Sequence, residues 1–422
     1  MTHSEPPAAA GSASDQARKP YPLSGVRVLD FTRFVAGPYA SMLLADAGAD
    51  VIKVEPLGGE ETRDLDPMID APTGPTSGYF FRFNRSKRSI CVDSHTAEGR
   101  EAIYRIARTS DVIVENFRPG VMEKSGLGYS DFKKIKEDII YCSISGYGQT
   151  PSPHQTDRAF AILAEVTAGV VGWDRDETAP PIRVSMPLGD LYPGALAVAG
   201  ICMALFRKQC TGQGSQVDLA MYDSLVSLNE NAITMSALTG TEVLPTDRPT
   251  YTAPFGIFRA SDGYLCIAVL GDKMWHRFCS AIGRLDLADD ERFSSGEKRS
   301  TAMSGVLGEA IEEWLSTQTK AQAVAQLISS GVPAGSVARP TEVIESPQTA
   351  ARDLIWNVPS FAGLVGRVVG SPIRVEPDGF APVGGIPAPG ENTREVLRDL
   401  GEYSECELDA MVESGALGVL AR

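Results

Sequence analysis

The chain has 422 residues, of which 43% are hydrophobic and 22% charged, and its formal net charge is −15. This composition is typical of a globular protein, and the length predicts two or three domains. The large negative charge argues against non-specific nucleic-acid binding, which requires an excess of positive charge. We find no run of about 18 apolar residues, which argues against a membrane span.

Residues 1–21 are rich in Ala, Ser and Pro and lack an apolar segment. We therefore predict a disordered tail and not a signal peptide. The 7 cysteines form no CxxC pair, which predicts free thiols and a cytoplasmic protein. No two of the 4 histidines have the spacing of metal ligands, so we predict no metal site.

Short apolar runs alternate with helical patterns in the first third of the chain. The predicted strands are Val26–Phe31, Asp50–Glu55, Asp111–Glu115 and Ile139–Ile144. The predicted helices are Tyr39–Ala47, Glu98–Arg108 and Asp131–Lys136. Repeated strand–helix–strand units favour a parallel sheet, so we predict a doubly wound, Rossmann-like α/β domain.

A further helix at Gly194–Arg207 and a strand at Gln216–Met221 continue this pattern. Beyond residue 225 the pattern changes, because Ser261–Asp262–Gly263 between two apolar runs predicts a hairpin. Helical stretches follow it, and this region predicts a smaller α+β domain. The predicted elements of the remaining chain are strands Phe255–Arg259 and Tyr264–Val269, and helices Met303–Thr317, Lys320–Ser329, Glu391–Leu400 and Glu405–Ser414.

The first strand–helix turn contains Gly37 and Pro38, and Glu55 ends the next strand, where a ribose-binding acid lies in dinucleotide-binding domains. The turn lacks the G-x-G-x-x-G fingerprint, and Pro38 has no N–H to donate to a phosphate. Three interpretations stay open here: a plain tight turn, a nicotinamide dinucleotide site, and an adenine-nucleotide site without the glycine fingerprint.

Two other segments are candidates for anion binding. The run Phe81–Ile90 carries Arg82, Arg85, Lys87 and Arg88, which predict either a phosphate site or a solvated face. The loop Asn116–Gly120 directly follows a predicted strand, and Lys124 comes soon after it. Ligands bind beyond the carboxyl ends of strands in open α/β sheets, so this loop is either a ligand loop or a simple turn.

Asp190 lies in the sequence PLGDLYPG, directly before a long apolar stretch. An aspartate at this place is typical of a helix N-cap. A helix N-terminus also favours an ionised carboxylate, which can attack a carbonyl carbon. The cap and the nucleophile are compatible interpretations of the same residue.

Six segments together resemble the class III coenzyme A transferases, the CaiB/BaiF family that includes formyl-CoA transferase and carnitine CoA-transferase. The resemblance extends from Leu23 to Leu417. The segments are LDFTRFVAGPYASMLLADAGADVIKVE, FNRSKRSICVD, DVIVENFRPGVMEKSGLGY, PLGDLYPGALAVAGICMALF, TGQGSQVDLAMYDS and PGENTREVLRDLG. Each segment is a weak signal, but their common order and spacing are highly specific.

The resemblance implies that Asp190 is the nucleophile. It also implies that coenzyme A is a substrate, with no tightly bound cofactor, and that it binds at Val35, Ala36, Glu55, Asn84, Lys87, Arg88, Asn116, Phe117 and Lys124. Val35 replaces a glutamine of formyl-CoA transferase, and the glycine-rich loop that covers that enzyme's site has its nearest counterpart at Leu270–Lys273. Both departures argue against an oxalate-type acceptor.

The resemblance further implies an interlocked homodimer in which residues 22–225 and 337–422 form the large domain and residues 226–336 the small one. It implies transfer of CoA from an acyl-CoA such as succinyl-CoA to a carboxylic acid, through an aspartyl anhydride and an aspartyl-CoA thioester. Backbone N–H groups near the start of the helix are expected to stabilise the oxyanions. Arg33, Arg158 and Arg183 could each bind the second carboxylate of a dicarboxylic acid, but a surface or structural ion pair is the favoured interpretation of each.

Two alternatives remain open at this stage. One is a 2-methylacyl-CoA racemase, which would use a histidine and an aspartate, with His154 and Thr156–Asp157 at the corresponding place. The other is a non-catalytic protein that only binds CoA. Neither interpretation involves nucleic acid or a membrane.

Overall fold

The computed structural model describes residues 21–172, 181–183, 186–244, 250–376, 382 and 384–418, so residues 1–20 of the predicted tail lie outside it. The chain forms two compact units. The first comprises Met1–Val171, Arg183–Glu230 and Asp353–Arg422, and the second comprises Gly172–Ile182 and Asn231–Arg352. The first unit resumes at Asp353, after two short helices that follow the last strand of the second unit.

The strands of the described residues are, in chain order, β1 (Arg27–Asp30), β2 (Asp50–Glu55), β3 (Met68–Ile69), β4 (Thr76–Ser77), β5 (Arg88–Val92), β6 (Val112–Glu115), β7 (Ile140–Ser145), β8 (Ser215–Ala220), β9 (Phe255–Ala260), β10 (Gly263–Ala268), β11 (Ala334–Ser336), β12 (Ile355–Pro359), β13 (Val365–Val369) and β14 (Leu417–Gly418).

The helices in the same part of the chain are α1 (Ala36–Asp46), α2 (Gly78–Phe81), α3 (Ala97–Arg108), α4 (Val121–Lys124), α5 (Tyr129–Ile135), α6 (Ala161–Thr167), α7 (Leu188–Thr211), α8 (Met221–Leu228), α9 (Glu230–Thr239), α10 (Asp272–Ala281), α11 (Leu285–Ala288), α12 (Gly296–Ala302), α13 (Val306–Ser316), α14 (Lys320–Ser329), α15 (Pro340–Ile344), α16 (Pro347–Ala351), α17 (Thr393–Gly401) and α18 (Glu405–Glu413).

A seven-stranded sheet organises the first unit, in the order β14-β5-β2-β1-β6-β7-β8. All neighbouring strands are parallel except β14 and β5, which are antiparallel. After β1, the strands β2 and β5 are added on one side of it, and β6, β7 and β8 are then added on the other side. This is the order of a doubly wound sheet, and the gap between the carboxyl ends of β1 and β6 is its topological switch point.

Both faces of this sheet are buried. Leu29 and Ile113 contribute to a core cluster that includes α3, α17 and α18, whereas Val28 and Val112 contribute to the opposite cluster with α1 and α7. Strands covered on both faces appear in the sequence as continuous apolar runs, which explains why they were predictable.

Helix α7 begins earlier than predicted, at Leu188, and has 24 residues. By length and composition it is apolar enough to cross a membrane, which differs from the expectation from the sequence. Ala197 and Ile201 are nevertheless buried against the sheet. Met203 and Phe206 are 72% and 68% exposed, so the opposite face of the helix presents apolar surface.

The second unit contains the antiparallel sheet β11-β10-β9, and pairing of β9 with β10 confirms the predicted hairpin. Its core is a cluster of strand and helix side chains that includes Trp275, Phe278, Leu307 and Ile311. Helices around a small antiparallel sheet form an α+β unit.

Candidate functional site

A cavity of about 260 Å³ lies at the switch point of the sheet. We call it the sheet-edge cavity. Its walls come from the segments that directly follow β1, β2, β5 and β6, and they include Arg33, Leu57, His95 and Phe117. This is where the topology of an open α/β sheet places a ligand.

A larger cavity of about 970 Å³ adjoins it, and we call it the helix-start cavity because Asp190 at the beginning of α7 lies in its wall. Phe117 and Val121 line both cavities. A long ligand can therefore extend from the sheet edge to Asp190.

The loops after β1 and β6 are tied together beside these cavities. The Asn116 side chain accepts a hydrogen bond from the Arg33 backbone N–H and donates one to the Arg33 carbonyl, both at 2.8 Å. The Arg33 guanidinium lies 5.2 Å from the centre of the Phe117 ring. Glu115 accepts the Phe117 N–H at 2.8 Å, and burial raises the pKa of this carboxyl to about 7. Asn116 and Phe117 are thus fixed relative to the first turn.

The first turn is tightly packed. Phe34 has φ +64°, an uncommon conformation for a residue with a large side chain, and such conformations persist where the surroundings determine them. A Cβ on Gly37 would lie 2.3 Å from the Thr32 Cβ. Gly37 is therefore required for the close packing of the turn against Thr32. Val35 and Ala36, which precede it, line the helix-start cavity.

Asp190 is the third residue of α7 and is half-buried. The N-cap position is occupied by Pro187, without a side-chain hydrogen bond, so the interpretation of Asp190 as the cap was wrong. The helix begins too early for that role. The N–H of Gly189 donates to Glu165 Oε1 at 3.0 Å, and that of Asp190 donates to the Pro187 carbonyl at 3.0 Å. The N–H groups expected to stabilise oxyanions are therefore already paired.

Two further charged groups face Asp190. Glu165 on α6 is buried and forms a short ion pair with Arg183, which lines the same cavity. Burial and the charge of Glu165 raise the pKa of Asp190 to about 6, and Arg183 opposes that rise. Asp190 is therefore ionised at neutral pH but poorly solvated, as a nucleophilic carboxylate requires.

We predict that acylation of Asp190, the nucleophile that the resemblance implies, depends on pH. Only the carboxylate can attack, so the rate should fall about tenfold per pH unit below its pKa of about 6. Rapid-quench measurements from pH 4.5 to 8 test this. The pKa of Glu115 is about 7, near that of Asp190, so Glu115 could also cause a fall in rate at low pH. E115Q is therefore the control, and its acylation rate should still fall below pH 6. A rate that stays constant down to pH 4.5 would contradict the prediction.

We expect Gly189→Ala to displace Asp190, the predicted nucleophile. A Cβ at this position would lie 2.6 Å from the carbonyl oxygen and 2.8 Å from the Cα of Ala161, both backbone atoms. The start of α7 must then move away from α6, and a misplacement near 1 Å costs about 10²-fold in rate. Gly200→Ala is the matched control, because its Cβ would meet a side-chain atom, Val217 Cγ1, at 2.8 Å. Equal kcat values for the two variants would refute the prediction.

Some of the predicted CoA-binding residues line a cavity and the others do not. Val35, Ala36, Asn116 and Phe117 line the helix-start cavity. Glu55 lines the sheet-edge cavity, but both of its carboxylate oxygens accept hydrogen bonds from Arg63 at 2.7 Å. The other predicted residues are not among the described residues that line either cavity: Asn84, Lys87, Arg88 and Lys124.

Arg82 in the basic run after α2 is exposed, but the other three cations of the run are paired with carboxylates of the same unit. Arg85 pairs with Asp46 and Lys87 with Asp30, and all four side chains are at most 1% exposed. Arg88 pairs with Asp50 at 2.6 Å. Burial of an unpaired charge is costly, and Arg85 and Lys87 each have a buried carboxylate as partner.

Asn84 and Lys124, the other two predicted contacts that line neither cavity, lie in different surroundings. The Asn84 side chain donates to the Phe80 carbonyl and accepts from Lys87 Nζ, so it stabilises the buried network. Lys124 ends α4 with an exposed side chain.

Two further residues near Asp190, Glu165 and Tyr79, were not predicted from the sequence. Tyr79 lines the helix-start cavity, and burial together with the charge of Asp190 raises its pKa. Their only signals were a carboxylate within an apolar helix and a tyrosine near the basic run. His154 Nδ1 lies 2.9 Å from Asp157 Oδ2, and Asp157 lines the same cavity.

The profile of CoA-transferase family III matches residues 23–393. The chain belongs to CoA-transferase family III. A succinyl-CoA:mesaconate CoA-transferase of Haloarcula hispanica is 36% identical over 90% of this chain and 96% of its own. A succinate–glutarate CoA-transferase of Agrobacterium fabrum is 32% identical over 91% of this chain and 96% of its own. The crystal structure of a CaiB/BaiF family protein from Brucella suis is 30% identical, with a TM-score of 0.80 over 90% of this chain and 100% of that one. The protein is therefore a class III CoA transferase.

Proposed function

We propose that this transferase moves CoA between carboxylic acids by covalent catalysis at Asp190. The observation that supports this most is the position of its carboxylate: half-buried, ionised at neutral pH, and in the wall of a large cavity beside a paired arginine. A poorly solvated carboxylate is a competent nucleophile toward a thioester carbonyl.

In the proposed complex the adenine end of CoA lies in the sheet-edge cavity and the pantetheine arm passes Phe117, Val35 and Ala36 to reach Asp190. The two cavities share Phe117, which supports this path. Arg118 and Arg158 are exposed at the helix-start cavity and supply positive charge to a polyanionic ligand. Local positive charge is needed because the chain carries a net charge of −15.

The reaction begins when an Asp190 carboxylate oxygen attacks the thioester carbonyl carbon. The C–S bond breaks, which gives a mixed anhydride and the CoA thiolate. The thiolate attacks the aspartyl carbonyl, the donor acid leaves as a carboxylate, and an aspartyl-CoA thioester remains. The acceptor carboxylate then attacks this thioester, and the steps run in reverse. No proton and no ATP is consumed, and the cavity must exclude water from the anhydride.

We propose a dicarboxylic substrate pair with succinyl-CoA as the donor. The names of the Haloarcula and Agrobacterium relatives, which specify succinyl-CoA, mesaconate, succinate and glutarate, support this choice. The racemase alternative is not favoured, because the relatives are named as transferases.

We also propose a cytoplasmic homodimer. The exposed apolar face of α7, with Met203 and Phe206, fits a second copy of the chain because contiguous apolar surface marks association sites. The domain division near residues 225 and 337, the interlocking of two chains and a covering role for Leu270–Lys273 remain predictions.

The transfer is tested by incubating the protein with succinyl-CoA and mesaconate or glutarate in D2O and following both CoA esters by mass spectrometry. We expect a new acyl-CoA without deuterium at the α-carbon. Deuterium incorporation without a new ester would identify a racemase. Neither change, despite tight CoA binding, would identify a non-catalytic binding protein.

A further inference from the structure

We infer that Arg183 determines acyl-group specificity by binding the distal carboxylate of a dicarboxylic acyl chain, and that Glu165 is the positioning residue that holds Arg183 in place. This inference rests on the proposed function and assigns a role to two residues beside the nucleophile.

Arg183 lies in the same cavity wall as Asp190. Its side chain is 32% exposed and lines the helix-start cavity together with Asp190. The charge of Asp190 acts on Arg183, and that of Arg183 acts on Asp190. An acyl group on Asp190 therefore forms within the field of this guanidinium. Hydrogen bonds between a guanidinium and a carboxylate are directional and charge-assisted, and they favour a substrate that ends in a second carboxylate.

A buried carboxylate holds Arg183 in place. The Arg183 Nε donates to Glu165 Oε2, and the Glu165 side chain is 2% exposed. Glu165 Oε1 accepts the Gly189 N–H at 3.0 Å. One buried carboxylate thus fixes both the guanidinium and the start of the helix that carries Asp190. A guanidinium fixed in this way loses less conformational freedom when substrate binds.

Arg183 differs from the other arginines of the site. Arg33 stacks on Phe117 and lines the sheet-edge cavity. Arg118 and Arg158 are exposed at the helix-start cavity, in irregular segments. Of these four, Arg183 is the one that a buried carboxylate orients beside Asp190.

Apolar side chains of the same cavity can contact the methylene part of the acyl chain. Phe160 and Ile162 line the same cavity and are 65% and 48% exposed. They can cover the methylene groups between the thioester carbonyl and the distal carboxylate. A cavity that combines apolar walls with one oriented cation selects a dicarboxylic acyl group over its monocarboxylic analogue.

The test compares succinyl-CoA with butyryl-CoA, in which a methyl group replaces the distal carboxylate. The quantity measured is the ratio of the two kcat/KM values for Asp190 acylation at pH 8, where Asp190 is ionised. We expect Arg183→Met to lower this ratio by about tenfold to hundredfold, the effect of a lost charge-assisted hydrogen bond. Changes in the Asp190 pKa affect both substrates equally and cancel in the ratio.

Arg158→Met is the matched control, because it removes an arginine from the same cavity. It should lower kcat/KM for both esters by the same factor and leave the ratio of the two values unchanged. Arg183→Met leaves Glu165 buried without its partner, so the double variant E165Q/R183M removes both charges. We expect the double variant to recover thermal stability but not the preference for succinyl-CoA.

The inference fails if both esters acylate Asp190 in Arg183→Met with the wild-type ratio of kcat/KM values. It also fails if Arg158→Met lowers that ratio as much as Arg183→Met does. It also fails if E165Q/R183M regains the wild-type preference. Absence of Asp190 labelling by either ester in the wild-type protein would instead overturn the proposed function.

Discussion

Asp190→Asn is expected to lower kcat by at least about 10⁴-fold while leaving the fold intact, because loss of a nucleophile removes the covalent route. Asparagine has nearly the same shape and fits the first turn of α7, where Asp190 makes no capping hydrogen bond. Steady-state transfer assays with the purified variant measure the loss. Retained turnover would exclude Asp190 as the nucleophile.

The same variant should not be less stable than the wild-type protein at pH 7. The pKa of Asp190 is raised in the folded state, so folding disfavours its ionised form at every pH above that value. Removing the charge therefore raises the melting temperature or leaves it unchanged. Loss of activity together with a lower melting temperature would indicate a structural role for Asp190.

Lys87→Met should lower the free energy of unfolding by about 3–5 kcal/mol, the usual result of removing one partner of a buried ion pair. Lys87 Nζ lies 3.1 Å from Asp30 Oδ2, 2.9 Å from Asn84 Oδ1 and 3.2 Å from the Pro38 carbonyl oxygen. Burial lowers the pKa of this amine to about 8, so it is still an ammonium at pH 7. The substitution leaves the Asp30 carboxylate buried without this cation and removes one hydrogen-bond donor each from Asn84 and Pro38.

Urea-induced unfolding measures this effect, with Lys124→Met as the control. Lys124 is exposed, so its substitution should change stability by no more than about 0.5 kcal/mol. If Lys87 held a phosphate of CoA instead, Lys87→Met would raise KM for acyl-CoA without a loss of stability. That result would contradict the assignment of Lys87 to the buried network.

The central sheet was predictable because its strands are buried on both faces. Asp50–Glu55 was predicted with the bounds that the structure gives, since every second residue faces one of two cores. The start of α7 was not predictable from propensity, because Pro187 and Gly189 are poor helix residues. It depends on tertiary contacts: Glu165 pairs the Gly189 N–H, and α6 packs where a larger side chain would not fit.

The candidate site residues divide in a similar way. Asp190, Asn116 and Phe117 could be placed beside a ligand from the sequence because they follow conspicuous strands or precede a long helix, and all three line the helix-start cavity. Lys87 and Arg88 were predicted as ligand contacts, and the sequence does not show that each cation pairs with an internal carboxylate. Glu165 was missed for the complementary reason, since its importance depends on Arg183, a residue from a different segment.

Covalent catalysis at Asp190 is tested most directly by intact-protein and peptide mass spectrometry. The protein would be incubated with a panel of acyl-CoAs and quenched with hydroxylamine, which traps an aspartyl anhydride or thioester as a hydroxamate. We predict a hydroxamate on the peptide that contains Asp190, strongest with the true donor ester and absent in Asp190→Asn. A hydroxamate on another residue, or none with any thioester that supports turnover, would contradict the proposed mechanism.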